Sequence, residues 1–316
     1  MSSSTFKFQA LKSGARIGVI ALSQSTEAER VRRACSWLHM QGFEVEMPLD
    51  PSKHFGSKVY LFSSDSVANR LKALYSLYKS KKIDAILTVR GAYGSMELLE
   101  AIKFASLKGA SKPLIGLSDT TALLCALHRY AQVPLIHGPV VESLSRIGTE
   151  TEAELNGLKL VSFLKGTNLQ PFTGVELSRV SGSRSAKGTL LAGNISMFSA
   201  LCGTKFAPKT AGCILCLEEV RESPYRVHRM LLQMKLAGLF SKVSAVVFGS
   251  LRNCVHPKGL GPGIEDVLTD IFNGARFPVY QGLPFGHEGA NFPIPFGIRA
   301  QLVDNQLELS ESSVLE

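Results

Sequence analysis

The sequence predicts an α/β protein whose first half is a parallel β-sheet covered by helices on both faces. Short apolar runs at 16–22, 85–89 and 113–117 alternate with segments of helical periodicity. Each run ends in a polar or glycine-rich loop, as a strand feeding a crossover helix does. The texture changes after residue 188, where strand-like runs are followed by a Pro/Gly-rich stretch.

The elements follow in order. Residues 16–22 are an apolar strand ending in Ser23, Gln24 and Ser25. Residues 27–41 carry Val31, Ala34, Cys35 and Leu38 on one helical face and stop at Gly42. Residues 43–47 alternate like a strand, and 67–79 place Leu71, Leu74 and Tyr78 at helical intervals. Residues 85–89 are a buried-strand run leading to the turn Arg90–Gly94, and 96–104 read as helical. Residues 113–117 form a strand ending at Ser118, 120–130 a helix, and 151–164 another. The polar, glycine-dotted stretch 165–187 reads as a linker between an N-terminal domain, 1–164, and a smaller α+β C-terminal domain, 188–316. The latter has strands near 188–192, 212–217 and 245–248, a helix at 226–236 and a Pro/Gly-rich end at 282–297.

Composition bounds the function. The 316 residues amount to roughly two domains, and 45% apolar with 19% charged residues is an ordinary globular composition. The formal net charge of +9 favours anionic partners, but the basic residues are dispersed and match no nucleic-acid-binding motif, so nucleic acid is not an expected partner. The start lacks the order of parts of a signal peptide, and no apolar run approaches the roughly 20 residues that span a bilayer; a soluble, unexported protein is expected. Cys213 and Cys216 form a lone CxxC in an apolar strand, which reads as a pair of buried thiols, not as a metal or redox site.

The chemistry concentrates at the strand ends. In GLSDTTALL a strand runs into Ser118 and directly into a helix, the arrangement of a nucleophile elbow, with Gly116 keeping the turn uncrowded. The match to G-x-S-x-G is incomplete because position 120 is Thr, and Ser118 or Asp119 as a simple helix cap is the competing reading. RGAYG (residues 90–94) lacks the Lys-Ser/Thr of a P-loop; beside an elbow, its N–H groups and that of Asp119 suit an oxyanion hole. A nucleophilic hydroxyl needs a base and the base an orienting acceptor. Among seven His, His39, His128 and His228 fall on helices, His54 and His256 in polar loops, His137 after an apolar strand, and His287 in the Gly/Pro-rich GLPFGHEGANFPIPFG. LCLEEVRE supplies Glu218, Glu219 and Glu222; adjacent carboxylates at a strand end face opposite ways, so at most one of the first two enters a site.

Taken together, RGAYG, IGLSDTTAL, HGPV, GTLLAGNISMFSALCGT, LEEVRESPYRVHRML, VVFGS and LPFGHEGANFPIPFG resemble the LD-carboxypeptidase family of serine peptidases, along most of the chain. The resemblance implies a flavodoxin-like N-terminal domain, a smaller β-rich C-terminal domain, homodimers, a cytoplasmic location and no metal or other cofactor. It implies Ser118 as nucleophile, Glu218 as acid and His287 as base; the oxyanion donors read from the loop beside the elbow are Asp119, Gly91 and Ala92. Ala92 stands where the family has Gly, and Glu219 where it has Asp, a neutral change if position 219 faces outward. Arg90 is a candidate for a substrate carboxylate, with a structural ion pair as its alternative; His137 is a candidate substrate or supporting residue, and Arg229 a brace for the Glu218–Glu222 region. The implied reaction is removal of terminal D-Ala from murein tetrapeptides. The alternatives are cleavage of a peptidyl-nucleotide by an immunity-type peptidase, which needs an aromatic residue to stack the base, and a catalytically silent muropeptide-binding protein.

Overall fold

The computed structural model of the chain describes residues 6–50, 52–53, 62–256, 259 and 261–315; His54 lies outside them. It divides into two compact units, Met1–Leu169 with Ser313–Glu316, and Gln170–Ser312.

In the first unit the apolar runs form strands β1 (Arg16–Ile20), β2 (Glu44–Glu46), β3 (Ala85–Thr88), β4 (Leu114–Gly116) and β5 (Leu135–His137). They run parallel in the order β2-β1-β3-β4-β5, which is the flavodoxin-like order. All residues of β3, β4 and β5 are buried, which is why these runs show no alternation: helices cover both faces. Those helices are α1 (Ala28–Met40), α2 (Val67–Lys79), α3 (Thr121–Tyr130), the short α4 (Val141–Leu144) and α5 (Thr151–Leu164). The strand order reverses between β1 and β3, so the loops leaving β1, β3 and β4 open at the edge where ligands bind in such sheets.

The second unit is a mixed sheet of β6 (Ser178–Ser181), β7 (Ala186–Asn194), β8 (Cys213–Glu218), β9 (Ala245–Phe248), β10 (Val279–Gln281), β11 (Arg299–Val303) and β12 (Gln306–Leu309). The order is β12-β11-β7-β8-β9-β10-β6, with β7 to β10 parallel and the flanking pairs antiparallel. Helices α6 (Ile195–Leu201), α7 (Pro224–Leu236) and α8 (Ile264–Ile271) pack on it.

Two stretches differ from the sequence reading. Residues 96–104 form a short 3-10 turn, Ser95–Leu98, and not a helix, because Ser95 is tied to Asp119 through both its N–H and its hydroxyl, and Lys103 leaves the helical region to bond Tyr75. Within the stretch read as linker, Ser178–Ser181 is an edge strand paired with β10, and Ala186 already opens β7; its short, exposed and polar sequence hides it from periodicity. Cys213 and Cys216 are buried free thiols whose ionisation burial suppresses. No helix among the described residues is long and apolar enough to cross a membrane.

Two predictions follow from packing. A Cβ at Gly182, where φ is +75°, would fall 1.8 Å from the Phe277 carbonyl oxygen. Gly182→Ala is therefore expected to cost about 3 kcal/mol or more by combined overpacking and strain, read as a lowered denaturant midpoint. His128, on α3, stacks on Phe6 at 4.7 Å, and burial lowers its pKa from 6.5 to about 4. Between these values the unfolded chain binds the extra proton, so this contribution is present above pH 6.5 and is lost as pH falls toward 4. The loss is on the order of 3 kcal/mol, and His128→Gln is expected to flatten the fall in denaturation free energy between pH 7 and pH 4.5.

Candidate functional site

In the first unit the site is built from the loops after β1, β3 and β4. Leu117 is extended, Ser118 then adopts φ +64°, and the turn Ser118–Thr120 leads into α3. A left-handed conformation at a non-glycine residue costs about 1–3 kcal/mol and persists only when its surroundings enforce it. No side chain caps the start of this turn or of α3, so the cap reading of Ser118 and Asp119 does not hold. The Asp119 carboxylate instead accepts from Ser23 Oγ at 2.6 Å and from Ser95 N at 2.8 Å, while Ser95 Oγ donates to the Asp119 carbonyl at 2.5 Å.

Close approach explains the glycines. A Cβ at Gly116 would meet Thr120 at 2.9 Å, so Thr at 120 packs where Gly116 leaves room. A Cβ at Gly91 would lie 2.5 Å from Ser118 Cβ, 2.9 Å from its Oγ and 3.0 Å from Asp119 N. The loop after β3 thus lies directly against the hydroxyl and the Asp119 N–H, one of the N–H groups at a helical start that helical geometry leaves without a partner. Ala92 takes φ +74°, the conformation for which Gly is the easier residue. Arg70, 1% exposed, ties the loops together: Nη1 donates to Leu22 O at 2.7 Å and Gly94 O at 2.8 Å, and Nη2 pairs with Glu97. Ser118 itself is half-buried among buried neighbours.

The remaining candidates of this unit separate. Arg90 is half-buried and forms no ion pair or hydrogen bond among the described residues. His137 is wholly buried at the end of β5, in register with Gly116.

In the second unit the acid and the imidazole meet. Glu218, the last residue of β8, is 0% exposed. Its Oε2 lies 2.6 Å from His287 Nδ1, and its Oε1 accepts from Asn194 Nδ2 at 3.2 Å. A buried carboxylate beside Nδ1 accepts a hydrogen bond from Nδ1–H, which leaves the lone pair on Nε2, a tautomer assigned from its partner. The His287 side chain keeps 21% of its surface exposed. Gly286 sets the approach: φ is +136°, and a Cβ would fall 2.9 Å from Ser250 Cβ and 3.3 Å from Glu218 Oε2. Glu288 fixes the other side of the loop by accepting from Asn253 Nδ2 at 2.6 Å and Arg221 Nη2 at 3.2 Å. Arg221 and Asn253 are themselves at positive φ, so strained backbone gathers around this pair as it does around Ser118.

The other sequence candidates have other partners. Glu222 pairs with Arg226 at 2.8 Å. Arg229, the expected brace, lies over the Tyr225 ring at 5.6 Å; the pairing with Glu222 is made by Arg226, because the i,i+4 spacing reaches the acid. Glu219 does not face outward: it is 3% exposed and accepts from Asn194, Ser196 and the Val220 N–H. His228 pairs with the exposed Asp270, His39 is exposed, and His256 lies beside His228 in a surface cleft. Sequence reading missed Ser23, Arg70, Ser95 and Asn194; only Asn194 left a signal, as an Asn at a strand-to-helix junction. No group of three or more His, Cys, Asp or Glu among the described residues has metal-binding geometry.

The chain resembles known proteins along most of its length. The model of the LD-carboxypeptidase N-terminal domain matches residues 17–138, and that of the LD-carboxypeptidase C-terminal domain matches residues 187–302. A putative carboxypeptidase of Synechocystis sp. is 32% identical over 92% of both chains. The murein tetrapeptide carboxypeptidase of Pseudomonas aeruginosa is 29% identical over 92% of this chain and 94% of its own. A solved structure of the microcin C7 self immunity protein in complex with adenosine monophosphate superposes with a TM-score of 0.84 at 21% identity, over 98% of this chain and 99% of the other, and so shares the fold. With both domain models matched and a relative 32% identical across nine-tenths of its length, the chain belongs to the LD-carboxypeptidase family and is a serine-type carboxypeptidase.

Proposed function

We propose that Ser118 is the nucleophile of an acyl transfer in which His287 is the base and Glu218 its orienting acid. The observation that carries this reading is the left-handed Ser118, φ +64°, at the end of β4 with no capping bond. A cap needs no strain, whereas a nucleophile elbow requires it. Ser118 Oγ attacks the carbonyl carbon of the scissile amide while His287 Nε2 takes the hydroxyl proton. The N–H groups of Asp119 and of the Gly91–Ala92 turn receive the oxyanion; removing one such donor typically costs about 10²–10³ in rate. Collapse breaks the C–N bond as His287 returns its proton to the leaving amine, and water then hydrolyses the acyl-enzyme by the same proton route. Arg90, half-buried and unpaired among the described residues, is proposed to receive the terminal carboxylate in a bidentate bond.

The substrate is a small peptide, and two classes compete. Removal of terminal D-Ala from a murein tetrapeptide is supported by the sequence relatives and by Arg90. Cleavage of a peptidyl-nucleotide draws on the full-length likeness to the immunity protein and on an aromatic pair absent from the sequence reading. Phe62 and Tyr93, 62% and 51% exposed, meet edge to face with ring centroids 5.6 Å apart. Tyr93 sits on the loop whose Gly91 lies against Ser118, and an exposed ring there can stack a base. The structural support weighs toward this second class and the sequence relatives toward the first. The cytoplasmic location and homodimer implied by the family resemblance belong to the same proposal.

One experiment tests both the chemistry and the class. The pure protein is incubated with murein tetrapeptide and with a peptidyl-adenylate, and release of D-Ala or nucleotide is followed. Ser118→Ala is expected to lower turnover by at least about 10⁴-fold; full activity in this variant would reject the nucleophile. Tyr93→Ala is expected to raise KM for the adenylate about tenfold, as loss of one stacking partner does, while leaving D-Ala release from the bare peptide unchanged. Turnover of neither substrate by the wild type would reject both classes.

A further inference from the structure

We infer that Glu219 is a positioning residue for the Glu218–His287 pair, acting through Asn194. The inference rests on the reading of Glu218 and His287 as acid and base. Glu219 follows Glu218 directly, yet both carboxylates are buried, at 3% and 0% exposure. Two ionised carboxylates side by side out of water are costly unless donors compensate each of them. Glu219 has four: Asn194 Nδ2 at 2.9 Å, Ser196 N at 2.9 Å, Ser196 Oγ at 2.5 Å and Val220 N at 2.9 Å.

The connection to the acid is the Asn194 amide. Its Nδ2 donates to Glu219 Oε1 and, at 3.2 Å, to Glu218 Oε1, while its Oδ1 accepts from Met197 N at 3.3 Å. Donor and acceptor ends are both engaged, so the amide is held in one orientation. It occupies Glu218 Oε1 and leaves Oε2 to His287. A side chain that merely secured the start of α6 would need only the two Ser196 bonds.

Glu219→Gln keeps the size but turns one end into a donor facing Asn194 Nδ2 or Ser196, so the amide loses its anchor. The test measures steady-state kinetics on the substrate the wild type turns over, together with the low-field His287 Nδ1 proton in histidine-labelled protein. Glu219→Gln is expected to lower kcat up to about 100-fold, as small misplacements of reacting groups do, with KM unchanged and the Nδ1 proton moved upfield. Glu219→Asp keeps charge and acceptors and is expected to restore most of kcat and the resonance. A Glu219→Gln protein with wild-type kcat and an unmoved resonance would overturn the inference, whatever its thermal stability. Should that variant fail to fold, Ser196→Ala, which removes one donor to Glu219, is expected to move the same resonance in the same direction, and an unmoved signal rejects the role. Inactivity of the wild type toward both substrate classes would reject the proposed function alone, because the resonance still reads the coupling of Glu219 to His287.

Discussion

The second unit is organised around one constraint: the Glu218 carboxylate has none of its surface in water. Such a group is costly to bury without partners, and the chain supplies a donor to each of its oxygens. His287 Nδ1 meets one oxygen and Asn194 Nδ2 the other. Gly286, in a conformation and a space that only glycine fills, brings the imidazole in. Ser250 N bonds the Phe285 carbonyl at 2.8 Å and Glu219 N bonds the Ser250 carbonyl at 3.1 Å, so the loops after β8, β9 and β10 are locked together around the pair.

The first unit meets a different constraint, a side chain held in a disfavoured backbone state. Ser118 at φ +64° and Ala92 at φ +74° sit on neighbouring loops. Strain of this kind needs a rigid frame, and the frame is polar: Asp119 binds Ser23 and Ser95, and buried Arg70 spans the carbonyls of Leu22 and Gly94. Because every donor and acceptor of that frame is buried, removing one leaves a partner unsatisfied, at about 1–3 kcal/mol each. The rigidity that lets the hydroxyl stand half-exposed is a property of the network, not of the turn alone.

Much of the fold was legible. The apolar runs of β1, β3 and β4 announced themselves because strands buried on both faces have no reason to alternate, and α1, α2, α3 and α5 showed their periodicity. Elements whose residues are short and polar did not: Ser178–Ser181 reads as linker because an edge strand exposes its side chains. Residues 96–104 carry helical spacing, yet Ser95 is captured by Asp119, a bond to a residue far along the chain that no local pattern records.

The sequence by itself determined the family and put forward Ser118, Glu218 and His287 as candidates, since motif, order and spacing are written along the chain. It also raised the two readings of Ser118 without deciding between them, because a cap and an elbow use the same residues at the same junction. Only the tertiary structure shows a left-handed Ser118 with no capping bond, which speaks against the cap. It alone turned Glu219 from a surface acid into a buried one, because burial depends on what packs against a strand end, and Asn194 and Ser196 come from a neighbouring strand and helix. Hydrogen-bond partners across sheet and loop are long-range facts, and a sequence orders its residues by chain position and not by distance.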